Sequence, residues 1–208
     1  LTRIATDSQA LLESRVAALF TLRQGLGAKS FETLQTLAAD KTISAWAMRA
    51  LTDNDRDAAA IPESVLLAAL RSEDARTRRE AIVGVARTRG ASGSSSLLTA
   101  MTELLNDSDS IVAHTAVRGL IRCGAAEACF AVLDDSQAPA ARWLGAARVL
   151  QSLHQSRVVN GLCERLVKET NAERRRIVLG AGRQLADFVG PGAEAKQGSV
   201  EIERKRIL

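Results

Sequence analysis

The sequence predicts an all-α protein, an α-solenoid of about six helix pairs, and three observations carry that prediction. Among 208 residues there are 36 Ala and 26 Leu, whereas aromatic residues reach 3% and Tyr is absent. The best helix formers are therefore abundant, and the β-branched and aromatic types that fill strands are scarce. A short pattern, Ala-x-Arg-x-Leu, returns every 29 to 35 residues, a period of one supersecondary unit. The three prolines, finally, fall outside helix interiors, and Gly90, Gly124 and Gly190 stand where helices would stop.

Taken in order, the anchors of the pattern are Ala18, Ala47, Ala81, Ala116, Ala146 and Ala181, with Leu22, Leu51, Val85, Leu120, Leu150 and Leu185 four residues on. The first and third copies lack the Arg; the others carry Arg49, Arg118, Arg148 and Arg183. Each anchor marks the second helix of a pair. The fourth unit reads most clearly: Leu97, Leu98, Met101, Leu104 and Leu105 form one helical stripe, and Ile111, Val112, Ala116, Val117 and Leu120 form the next. Between them, residues 106–110 (Asn-Asp-Ser-Asp-Ser) supply turn and N-cap chemistry, and Cys123-Gly124 closes the second helix. Pro62 and Pro139 mark helix starts, and Gly90, Gly124 and Gly190 mark stops, with Pro191 just beyond the last.

The Gly- and Ser-rich stretch 90–96 reads as a flexible loop between repeats, because the repeat phase resumes directly after it. A helix pair of this length cannot bury its apolar face alone, so neighbouring pairs must stack. The expected organisation is a solenoid over 1–189, followed at 190–208 by a linker or the start of another domain. Leu1 in place of Met, with a charged final segment, suggests a piece of a longer protein.

The formal net charge of +4 is concentrated late: residues 1–170 hold 20 basic and 19 acidic side chains, and the remainder hold 8 and 5. A nearly neutral body is a poor electrostatic footprint for nucleic acid, which is not expected as a partner. No apolar run is long enough to span a membrane. Cys123, Cys129 and Cys163 lack C-x-x-C spacing, and His114 and His154 stand alone, so no metal or cofactor is expected in this segment; the thiols read as small buried apolar groups. No Ser/His/Asp arrangement, phosphate-binding Gly loop or H-E-x-x-H helix occurs, and no catalytic residue is assigned.

The recurring arginines are the candidate interaction surface. At about 100° per residue, each Arg lies roughly 200° from its anchor Ala, while the Leu lies only about 40° away, so Arg49, Arg118, Arg148 and Arg183 point off the core as a ladder toward an acidic partner. The plain alternative is pairing with acids such as Asp53 or Asp109, or a merely solvated face. Two basic clusters, Arg76, Arg78, Arg79 and Arg174, Arg175, Arg176, open second helices, where positive charge opposes the helix dipole. They would bind anions or pair across repeats with Glu73, Asp74 and Glu173. Arg76 and Arg79 join the candidate surface. Trp46 and Trp143, just before anchor positions, are expected between repeats.

The turn Asp followed by basic residues and an Ala-rich helix, in 72–82 and 106–117, resembles HEAT repeats, and the resemblance covers 3–189. Within it, 15–22, 46–53 and 112–120 look like the HEAT segment of large exported haem-binding proteins of planctomycete and verrucomicrobial bacteria. In that family a dehydrogenase-like propeller precedes the HEAT region and a c-type cytochrome domain follows it. The resemblance implies a non-enzymatic scaffold and protein-interaction module, a spacer between redox domains that would be its partners, in an exported or periplasmic protein. The alternatives are a free cytoplasmic HEAT scaffold, or a HEAT-like enzyme of the lyase or DNA-repair glycosylase type. The last would need an acidic catalytic residue and aromatics converging on one groove.

Overall fold

The computed structural model describes residues 1–54 and 60–188; the linker expected at 190–208, with Gly190 and Pro191, lies outside the described residues. Among the described residues there are twelve α-helices and no strand. They pair in chain order: α1 (Thr2–Thr6) with α2 (Leu12–Leu26), α3 (Phe31–Ala38) with α4 (Ser44–Leu51), α5 (Glu63–Leu70) with α6 (Ala75–Thr88), α7 (Ser95–Glu103) with α8 (Ser110–Arg122), α9 (Ala126–Asp134) with α10 (Ala140–Gln151), and α11 (Ser156–Lys168) with α12 (Ala172–Phe188). The fold class is that of an α-solenoid of helix pairs.

The chain divides into two compact units, Leu1–Cys123 and Gly124–Leu208. In the first, α2, α4, α6 and α8 pack side by side as one layer, and α1, α3, α5 and α7 form the other. In the second, α10 packs on α9 and α12, and α12 packs on α11.

All six anchor alanines and all six residues four positions on are buried. This is the expected result of a period of 3.6, which places i and i+4 on one face. Small residues set how closely second helices approach. A Cβ built on Gly84 would come within 2.9 Å of Thr52 Cβ, and one on Gly119 within 2.7 Å of both Ile82 Cγ2 and Met101 Cε. Large side chains then fill what remains: Leu51, Leu70, Ile82, Leu97 and Met101 are almost wholly removed from water.

Helix ends follow the turn chemistry. Asp74 caps α6 by accepting from the N–H groups of Arg76 and Thr77, and Asp109 caps α8 by accepting from Ile111 and Val112. Pro62 and Pro139 occupy N-cap positions at φ −60° and −56°. Gly90 and Gly124 take φ +50° and +62°, the left-handed turn that ends a helix cheaply only without a Cβ. The stretch 90–96 leads from α6 into α7. Residues Gly90–Ser92 form a 3-10 turn, and Ser94 caps α7 by accepting from Leu97 N–H while donating to Glu63 at 2.7 Å. A hydroxyl side chain that satisfies both a helix end and a neighbouring carboxylate turns a permissive sequence into a defined connection.

Candidate functional site: arginines of the second helices

Arginines at the starts of second helices are bound down. Arg78 grips Asp107 with Nε and Nη2 at 2.7 and 2.8 Å, and donates Nη1 to the carbonyls of Ser72 and Glu73. Arg15 reaches Asp40 at 2.6 Å, the Thr42 hydroxyl and the Ala5 carbonyl. Arg175, at the same place in its helix, donates to the carbonyls of Leu166 and Glu169. At the corresponding place in α10, Trp143 gives its indole N–H to Leu133 O at 3.2 Å. Each of these side chains satisfies carbonyls left open by a preceding turn or helix end.

Burial alone would raise the pKa of Asp107 and of Asp40. Hydrogen bonds outweigh it, from Arg78 and the Asp109 N–H on Asp107 and from Arg15 and Thr42 on Asp40, and hold both carboxyls below their ordinary value. Asp74 is likewise held low, by Thr77 and the N–H of Arg76, against the opposing effect of burial.

The pairing expected of the first basic cluster is therefore corrected. Arg78 pairs with Asp107, one repeat onward, and not with Glu73 or Asp74, while Arg79 pairs with Glu80 at 2.7 Å. Glu73 instead meets Lys41 in an exposed pair. Arg76 lies over the Trp46 ring at 4.1 Å, and Arg174 lies over Trp143 at 5.4 Å, so both tryptophans are sandwiched against the next second helix. Trp143 is buried and Trp46 only half so.

A second set of arginines, given no role by the sequence pattern, caps the carbonyl ends of neighbouring helices. Arg23 donates to Ala50 O at 3.1 Å, Arg87 to Thr52 O at 3.0 Å and Arg122 to Ala86 O at 3.0 Å. Cations at the last turn of a helix meet both open carbonyls and the negative end of its dipole. The available signal was spacing: Arg87 and Arg122 lie 35 and 36 residues from the residues they cap, close to the repeat length.

The four ladder arginines behave differently. Arg49, Arg118, Arg148 and Arg183 are exposed, two in each unit, and no described carboxylate pairs with any of them. Asp53 and Asp109, the partners considered from sequence, are otherwise engaged: Asp53 lies 3.6 Å from Arg87, and Asp109 caps α8.

In the first unit the outward stripe of α6 (Arg76, Glu80, Val83, Arg87) separates two grooves. One, of about 370 Å³ against α2 and α4, mixes Arg49 and Arg76 with Asp53 and Glu80. The other, of about 550 Å³ against α8, has Arg87, Arg118 and Arg122 on its rim and no carboxylate in its lining.

Chemistry elsewhere is sparse. All three cysteines are buried thiols, and burial pushes Cys129 up to about 12, so it stays protonated and unreactive at neutral pH. His114 is exposed. Among the described residues no group of three His, Cys, Asp or Glu could hold a metal, and no helix is long and apolar enough to cross a membrane.

No family model matches this sequence, and no curated protein matches it. Solved structures do. An engineered protein aligns at a TM-score of 0.54 and 18% identity over 89% of this chain and 95% of its own. A second engineered protein aligns at 0.52 and 20% identity over 99% of this chain and 65% of its own. A designed armadillo repeat protein aligns at 0.46 and 18% identity over 88% and 98%. At these identities the first two likenesses concern the fold alone.

Proposed function

We propose that this chain is a non-enzymatic scaffold and protein-interaction module, a spacer within a larger exported haem-binding, dehydrogenase-like protein, holding no cofactor of its own. The observation that carries the scaffold reading is the set of exposed arginines with no described carboxylate partner, in contrast to Arg15, Arg78 and Arg122 of second helices, which are tied into the packing. Exposed cationic side chains on a packed helical framework are suited to holding a partner or flanking domain in place. The exported, haem-binding parent rests on the HEAT-segment resemblance of 15–22, 46–53 and 112–120.

Two measurements test it. Sequencing the gene on both sides is expected to find a signal peptide upstream and a C-x-x-C-H motif downstream; a complete short reading frame would overturn the parentage and leave a free cytoplasmic scaffold. A photo-crosslinking residue placed beside Arg118 or Arg148 in the full-length protein should capture a flanking domain or partner. The charge-reversal pair R118E and R148E should lose that crosslink without a change in melting temperature. If the pair unfolds instead, the ladder is structural and the docking reading falls.

A further inference from the structure

We infer that the groove between α6 and α8 binds an acidic peptide segment carrying apolar side chains, its carboxylates on Arg118 and Arg122 and its apolar groups on the groove floor. This deepens the scaffold reading above and rests on it. Three features of the groove argue for this occupant.

The first is charge. The rim holds Arg87, Arg118 and Arg122 and the lining no carboxylate; Asp53, which lines the neighbouring groove with Glu80, lies 3.6 Å from Arg87, so the charge left without a carboxylate is that of Arg118 and Arg122. Adjacent grooves of one layer thus differ in charge, so the cationic one is no general consequence of the Arg-rich composition. The second is preorganisation. Arg122 spends only Nε on Ala86 O, and Arg87 spends Nη1 on Thr52 O. Arg87 also faces Asp53 at 3.6 Å, whereas the Arg122 guanidinium is held in place with further N–H groups available, so little side-chain freedom is lost when a carboxylate arrives there. Arg118, between them on the groove, has no described carboxylate partner.

The third is the floor. Val83 and Ile121, partly exposed over the buried Ile82 and Ala86, line the groove with hydrocarbon. A phosphodiester backbone has nothing to place on such a surface, and no aromatic ring lines the groove to stack a base. An amphipathic segment offers both an apolar stripe and carboxylates, the latter matching the guanidinium fork.

The experiment is a fluorescence-anisotropy titration of the full chain with three labelled probes: an acidic helical peptide of Glu with Leu at helical spacing, a Glu/Ser peptide of equal charge, and a single-stranded oligonucleotide of equal length. The Glu/Leu peptide should bind, and the other two should bind about tenfold more weakly or worse. R118E should weaken the Glu/Leu peptide by about tenfold or more with an unchanged circular dichroism melt, and R118K should retain part of the binding. Should R118E fold poorly, R118A carries the same test. Equal binding of all three probes, no binding of the Glu/Leu peptide, or indifference to R118E would each overturn the proposal. If the peptide fails while R118E still abolishes the crosslink in the full-length protein, the scaffold reading stands and only this partner chemistry is rejected.

Discussion

Arg78 and Arg118 sit on adjacent helices of the same layer, yet one is fixed and the other projects. Arg78 is the second partner of a buried ion pair whose Asp107 side chain is 5% exposed, and it also holds two turn carbonyls. Arg118 is exposed on the rim of a groove. The difference lies in register. Near the start of a second helix, a guanidinium reaches the turn behind it and the loop of the next repeat, where open carbonyls and an Asp converge. In the middle of the helix every backbone group is already bonded within the helix, so an outward Arg there finds no partner from its own chain. The same residue type thus serves cohesion at the turns and is left without a carboxylate partner at the mid-helix position of Arg118.

Acid should break the turn region most strongly. Asp40, Asp74 and Asp107 titrate below their ordinary value in the folded protein, so their stabilisation is present above about pH 4 and is lost as pH falls through the lowered folded pKa values. Urea midpoints should therefore fall as pH drops from 5 toward 2; a midpoint flat across that range would show that these carboxylates do not couple to folding. Next in size, R78A leaves the part-buried Asp107 with the Asp109 N–H but no cation and should cost about 2 kcal/mol in urea unfolding, with much of the loss recovered when Asp107 is replaced by Asn as well.

G119A comes third. Its Cβ would meet the tips of Ile82 and Met101, which must shift, at a cost of about 1 kcal/mol in the same assay. R118E should change stability least, by no more than about 0.5 kcal/mol, because it removes no hydrogen bond or ion pair among the described residues. A loss comparable to that of R78A would erase the distinction between the two regions.

Much of the fold was legible because a repeat states its rule six times. The Ala anchors and the residues four positions on all reach the core, and Pro62, Pro139, Gly90 and Gly124 fall at helix ends. In the stretch 90–96 the partner of Ser94 was not legible, because Glu63, whose carboxylate accepts its hydroxyl, lies on a different helix. The candidate surface was legible as an angle, since Arg at two residues from a buried Ala must face outward. Which arginines stay unengaged was not legible. Arg76, Arg78 and Arg79 are near neighbours in sequence, yet one covers a Trp ring, one binds an Asp from the next repeat, and one pairs with the Glu beside it.

The sequence by itself determined the helices, their pairing and the buried stripe, because periodicity, capping and turn chemistry are local and repeat. Tertiary structure alone decided the partner of each charge. An Arg side chain is long enough to span from one repeat to the next, so its partner depends on which residue the stacking brings beside it. That is a property of packed helices and not of neighbouring letters in the chain.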